Sequence, residues 1–257
     1  MTPKTTDAVI WSCGGGTQSG AIASLISVGE LPRPDYAFMT DTGREKSGTW
    51  PFVDGFIRPA LAKVGLELTI VKKSEFCEID LFSAATASVL LPGYTDQSGS
   101  VGKLQGWCSG RWKRDVAERW MRSIGIVSAT NWIGISVDEL RRVRSQHRGW
   151  LKLEYPLIFM VRYTRSRCIE RIRADGWKGE IPHSACWMCP NMSDGEWLDM
   201  QINWPGDFAR ACDLEIEIQQ SDPHFWLHPS CVPLASVDFT GQTTMFADRG
   251  CTTGCFT

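Results

Sequence analysis

The stretch that most narrows the fold is DAVIWSCGGGTQSGAIASLISVG, residues 7–29. It opens as an apolar run of strand length and closes on small and apolar residues at helical spacing. Three glycines, then Thr17, Gln18 and Ser19, form the hinge. An apolar run without polar alternation reads as a strand buried on both faces, the habit of parallel sheets. Gly29 stops the helix. The same alternation returns downstream. DYAFMTD (35–41) is a second strand, about 49–64 a helix, LELTIVKK (66–73) a third strand and NWIGIS (131–136) a fourth. Residues 85–107 have no clear period and read as a long loop. A basic helix follows over about 109–123, with Ser109 as its N-cap. From about residue 155 the pattern gives way to short helices and Trp/Pro-rich loops. The expectation is an α/β fold: a doubly wound, mostly parallel sheet with helices on both faces and a loop-rich C-terminal extension. Residues 1–150 would form the α/β domain, and 151–257 a segment that completes a cysteine site.

Composition enters through charge and sulfur. A net charge of −2 over 257 residues gives no global basic field, so an anionic partner needs a local patch. No apolar run approaches the ~20 residues of a membrane span. The first residues lack the apolar core of a signal peptide, so a cytoplasmic location is expected. Ten cysteines in that setting imply metal, catalysis or burial rather than disulfides. Cys77, Cys168 and Cys212 read as small buried hydrophobes, and Cys13 as a small residue of the opening loop. Cys108, Cys186, Cys189, Cys231, Cys251 and Cys255 lie in Gly-, Pro-, Ser- or Trp-marked turns, where ligands can converge.

A glycine turn between a parallel strand and its helix gathers backbone N–H groups at the positive helix end, which suits phosphate. Gly14 to Ser19 is therefore a candidate anion loop, although it matches neither G-x-x-x-x-G-K-[ST] nor G-x-G-x-x-G. MTDTGRE places Asp41 at the carboxyl end of the second strand, where open sheets bind ligands. Asp41 would accept hydrogen bonds from a nucleoside and Arg44 would reach a phosphate; the plain alternative is that Asp41 and Thr42 cap a turn. In GRWKRDVAERWMR, Arg111, Lys113 and Arg114 stand beside Cys108 as phosphate binders, while Arg119 and Arg122 read as a solvated face. A second cluster, Arg141, Arg142, Arg144 and Arg148, follows the fourth strand. Together they point to a nucleotide or a nucleic-acid backbone. CWMCP (186–190) lets two thiolates reach one metal centre. Its place after Pro182 in a loop argues against a thioredoxin-type dithiol. Further ligands would come from Cys108 and from Cys251 or Cys255. All-thiolate ligation fits a four-iron cluster or a four-cysteine zinc site, with His183 as a rival ligand or a loop cap.

Gly14-Gly15-Gly16-Thr17-Gln18-Ser19 resembles the S-G-G-x-D-S pyrophosphatase loop (PP-loop) of the adenine-nucleotide alpha-hydrolase superfamily. Gly14 replaces the serine and Gln18 the aspartate. DTGRE (41–45), WCSGRWK (107–113), WIGISVDELRR (132–142), YPLI (155–158), HSACWMCP (183–190) and CTTGC (251–255) follow in order. They resemble landmarks of the phosphoadenosine phosphosulfate (PAPS) reductase-like family, in its phage- and defence-associated branch. The resemblance implies that ATP or a PAPS-like adenine nucleotide binds on Gly14, Gly15, Gly16, Thr17, Gln18 and Ser19. Asp41, Thr42, Gly43, Arg44, Arg111 and Lys113 would complete that site, with Mg²⁺ as an accompanying ion. It implies a [4Fe-4S] cluster, zinc being the alternative, on Cys108, Cys186, Cys189 and Cys251. Cys255, on the tail, resembles the catalytic thiol of PAPS reductases. The implied activity is adenylation or sulfur transfer, with nucleic acid as one substrate class and proteins of a modification or defence system as partners. Two alternatives stand beside it. One is an authentic PAPS reductase, which needs no ATP hydrolysis and suits the missing carboxylate at Gln18. The other is a non-catalytic nucleic-acid-binding accessory subunit.

Overall fold

The computed structural model describes residues 5–80, 82–83, 88–144 and 149–240, so Arg148, Cys251 and Cys255 lie outside the described residues. Five strands build the central sheet: β1 (Ala8–Ser12), β2 (Tyr36–Asp41), β3 (Leu68–Lys72), β4 (Ala129–Ile133) and β5 (Leu151–Glu154). All pairs are parallel and the spatial order is β3-β2-β1-β4-β5. The chain winds outward from β1 through β2 to β3, then returns to lay β4 on the other side of β1. The order therefore reverses between β1 and β4, and a crevice opens there beyond the carboxyl ends of the strands.

Strand pleating sends alternate residues to opposite faces, and both faces are covered. Trp11 and Trp132 pack with Ile22 and Leu25 of α1 (Thr17–Ser27), with Phe52 and Leu61, and with Ile172. Ile10, Phe38 and Val71 face the other way, against Trp112, Val116 and Trp120. Phe38 and Trp120 bring their ring centroids to 4.7 Å. The apolar runs are continuous because each strand is buried on both sides. The doubly wound α/β reading holds.

Several expectations shift in detail. The helix expected over 49–64 runs as Thr49–Phe52, a π turn Val53–Ile57 and Arg58–Ala62. Residues 85–107 contain paired strands too short to show a period. Gly93–Thr95 pairs antiparallel with Gly102–Leu104 and with Phe225–Trp226 from the far end of the chain. Ser109 is not an N-cap. Cys108 already has helical dihedrals and the Arg111 N–H donates to Trp107 O at 2.9 Å, so the helix begins before Ser109 can cap it. A π turn, Ser109–Arg114, then leads into α2 (Asp115–Ser123). The stretch beyond residue 150 supplies β5 to the sheet and α3 (Arg165–Ala174) to the layer against α1. Two further helices, α4 (Asp194–Asn203) and α5 (Pro205–Gln219), carry the described chain toward residue 240. Cys77 and Cys168 are buried and Cys212 is half-buried. Burial, with the charges of Asp138 and Glu139, pushes the Cys168 thiol up to about 12. Among the described residues no helix is long and apolar enough to cross a membrane.

Candidate nucleotide and metal-cluster site

The glycine hinge folds on itself before it meets any ligand. The Gly14 N–H donates to Ser19 Oγ at 2.8 Å, which closes the loop onto the first turn of α1. Gly15 has φ +73°, and a Cβ there would lie 2.8 Å from Thr49 Cγ2 and 2.9 Å from Met39 Cε. A Cβ on Gly16 would lie 2.6 Å from Ser184 N. The segment 182–184 lies across the loop: Ser184 Oγ donates to Gly14 O at 2.6 Å, and the Thr17 N–H donates to Pro182 O at 3.0 Å. The glycines are thus required first by packing between segments far apart in sequence. What remains open is the helix end itself. Gly14, Gly16, Gln18 and Ser19 line a cavity at the sheet's crevice, where first-turn N–H groups suit an anion.

That cavity has a second wall made of sulfur. Cys108 stands at the head of the π turn. Cys186 and Cys189 sit in a turn closed by the Cys189 N–H donating to Cys186 O at 3.1 Å. A β-bridge between Glu45 and Cys186, and the Trp187 N–H donating to Arg44 O at 3.1 Å, fasten this turn to the loop after β2. Cys108, Cys186 and Cys189 line the same cavity as the glycine loop, with Thr42, Trp112, Lys113, Met188 and Met192. No described cysteine forms a disulfide. Burial pushes the Cys186 thiol up and the Glu45 carboxylate adds to this, while the Lys113 ammonium pulls the other way. A thiolate ligand here would need the charge of a metal centre to stay deprotonated.

The donor set bears on which centre fits. Among the described residues no three His, Cys, Asp or Glu side chains come close enough to share a single metal ion. Three thiols from two distant segments on one largely apolar cavity are the donor chemistry of a thiolate-held metal centre, an iron–sulfur cluster or a zinc site alike.

Other residues singled out in the sequence take up different positions. Asp41 Oδ1 accepts from the Gly43 N–H at 2.7 Å, a local turn in which Gly43 has φ +73°. Arg44 pairs with Asp80 at 3.2 Å and lies 5.6 Å from the ring centroids of both Trp112 and Trp187. Of the DTGR residues only Thr42 lines the cavity, its Oγ1 donating to Glu45 Oε1 at 2.9 Å and lying 3.9 Å from Cys186 Sγ. Arg111 pairs outward with Asp115 at 3.6 Å, whereas Lys113 reaches the cavity wall. Arg119 donates to Phe76 O, and Arg122 lies 4.0 Å from the Trp150 ring centroid. His183 sets Nδ1 against the Glu196 carboxylate, the cap of α4. Burial opposes ionisation of Glu196, but the hydrogen bond and charge of His183, the Ser193 backbone and Lys46 outweigh it and hold the carboxyl at about 2.

Sequence reasoning missed Glu139. It follows β4 on the 3₁₀ turn Val137–Arg142, and its Oε2 accepts from Gln18 Nε2 at 2.6 Å and from Ser136 Oγ at 3.2 Å. Its other oxygen pairs with Arg142. The available signal was the D-E-L-R-R run itself, which places an arginine three residues after a carboxylate. Arg142, His183, Asn191 and Met192 line both the cavity and a neighbouring groove of about 1070 Å³.

No protein-family model and no curated protein sequence matches the chain. Among solved structures the chain is similar to the U34-tRNA thiolase NcsA from Methanococcus maripaludis with its [4Fe-4S] cluster. The two are 12% identical, the match covers 98% of this chain and 81% of that one, and the TM-score is 0.45.

Proposed function

We propose that this chain is an adenine-nucleotide-dependent enzyme of the PP-loop type that activates a substrate by adenylation or transfers sulfur to it. One observation carries the reading: the glycine loop at the head of α1 and three cysteines from two distant segments line the same cavity. Phosphate on a helix N-terminus and thiols at the facing wall are the two halves of activated-sulfur chemistry. The loop amides and Ser19 hold the nucleotide's phosphates, and Lys113 adds positive charge beside them. The rest of the nucleotide extends into the groove, past Arg142 and Asn191, because the cavity at the loop is small. Cys108, Cys186 and Cys189 would hold a [4Fe-4S] cluster, with Cys251 or Cys255 from the tail as the remaining protein ligand. Such a cluster supplies thiolate-bound iron for electron transfer or for handling a sulfur atom. The apolar wall of Trp112, Met188 and Met192 keeps bulk water away from that side. A nucleic acid or a small metabolite would be the acceptor.

A second reading, an authentic PAPS reductase, is favoured by one feature: among the described residues lining the cavity there is no carboxylate. One experiment tests both. Anaerobically purified full chain is incubated with ATP or PAPS, with and without added nucleic acid and a thiol reductant, and the products are separated. AMP or pyrophosphate release from ATP supports the first reading, and sulfite release from PAPS the second. Calorimetric titration with both nucleotides runs alongside. A protein that binds neither nucleotide and turns over neither overturns both.

A further inference from the structure

Its cysteines aside, the cavity at the glycine loop has charged side chains of one sign only among its described lining. Its described lining includes Lys113 and Arg142 but no aspartate or glutamate. A divalent Mg²⁺ is a hard cation that is usually held by one or two carboxylates as well as by substrate phosphates. Position 18, where the resembling loops carry aspartate, is an amide. Glu139, Glu45 and Glu196 touch side chains of that lining, and each is already engaged: Glu139 accepts from Gln18 Nε2 and Ser136 Oγ and pairs with Arg142, Glu45 accepts from Thr42 Oγ1, and Glu196 meets His183 and the Ser193 cap. Glu139 lines the groove rather than the cavity.

We propose that this site binds its nucleotide without a divalent cation, the phosphate charge being met by Arg142 and Lys113, and that Glu139 is the positioning residue that fixes Arg142 and Gln18 for this. The inference rests on the nucleotide-binding reading above. Because Glu139 only accepts, Gln18 must turn its NH₂ toward it, which leaves the amide oxygen on the opposite side of the group. The same carboxylate holds a guanidinium whose planar fork matches phosphate. Arg142 is 14% exposed and Glu139 19%, so their pairing lies largely out of bulk water and is screened weakly. The chain kinks at Glu139 (φ −113°, ψ 23°) just beyond the carboxyl end of β4, and there Glu139 meets both Arg142 and, across the crevice, Gln18 of α1. The chain thus brings a fixed cation to a loop that has no carboxylate with which to hold a mobile one.

The test is calorimetric titration of the anaerobically purified full chain with ATP and with PAPS, each in excess Mg²⁺ and in EDTA. For at least one nucleotide the wild-type affinity should agree within about two-fold between the buffers. Arg142→Ala should weaken it about ten-fold or more in both, a loss of about 1.4 kcal/mol. Glu139→Gln should weaken it in both buffers while the melting temperature stays near wild type. Gln18→Asp supplies the readout that a merely structural role would not move: it should become Mg²⁺-dependent, binding about ten-fold more weakly in EDTA. Wild-type binding that appears only with Mg²⁺ overturns this inference and leaves the nucleotide reading standing. Absence of binding in every buffer overturns both. Unchanged affinity in Arg142→Ala overturns the assignment of the phosphate charge.

Discussion

At the scale of single residues, the glycine loop shows how one sequence signal can serve two masters. Gly15 takes positive φ, and its Cβ position is filled by Thr49 and Met39. Gly15→Val is therefore expected to lower the melting temperature whether or not a ligand is present, by about 1–3 kcal/mol of stability. Thermal unfolding of the apo-protein checks this; a full-stability variant that only loses nucleotide would return the glycine to the ligand. Asp41 is the reverse case. Its end-of-strand position suggested nucleoside recognition, yet Oδ1 closes a turn onto Gly43. Asp41→Ala should cost about 0.5–1.5 kcal/mol of stability, the usual net worth of one hydrogen bond. Calorimetry with ATP decides how much of its effect belongs to binding.

At the scale of elements, legibility followed length and periodicity. The strands of five or six residues and the helix after the first glycines were readable because burial on both faces leaves continuous apolar runs. The three-residue strands Gly93–Thr95 and Gly102–Leu104 were not readable, because three positions cannot show a period and the other partner of Gly93–Thr95, Phe225–Trp226, lies over a hundred residues away. Cys186 and Cys189 were legible as a C-x-x-C spacing, and Cys108 only through the need for further thiolates to complete a metal site. Glu139 was not, since its role appears only when β4 lies beside β1. Helix α4 carries a prediction at this scale. Ser193 and Glu196 form a capping box, and His183 leans on the same carboxylate. The folded carboxyl sits at about 2 against an ordinary 4.5, so the ionised form stabilises the fold above pH 4.5. That contribution is lost as pH falls from 4.5 toward 2. Glu196→Gln should remove it at neutral pH and flatten the acid limb of the stability profile between those values. Urea midpoints measured from pH 7 to pH 2 would show it; parallel profiles for both proteins would contradict the assignment.

At the scale of the whole molecule, the three cysteines bring to one cavity two segments that lie far apart in the chain. Cys108 heads the helix that covers one sheet face, and Cys186 and Cys189 belong to the segment lying across the glycine loop. A group held by all three binds the folded chain and not the unfolded one, so its binding energy adds to stability. Anaerobically reconstituted protein should therefore melt well above the iron-free form and absorb broadly near ~400 nm, as thiolate-bound iron does. Cys186→Ser should lose most of the iron and most of that absorbance, and melt with the iron-free wild type, because a serine in the same turn leaves the packing in place. Cys168→Ser is the control. Its thiol is buried behind α1 and held up to about 12, so it should leave iron content unchanged even if the core loosens. Zinc would show itself as metal without visible absorbance. Iron retained in Cys108→Ser, Cys186→Ser and Cys189→Ser alike would remove the cluster from this cavity and leave the three thiols as packing.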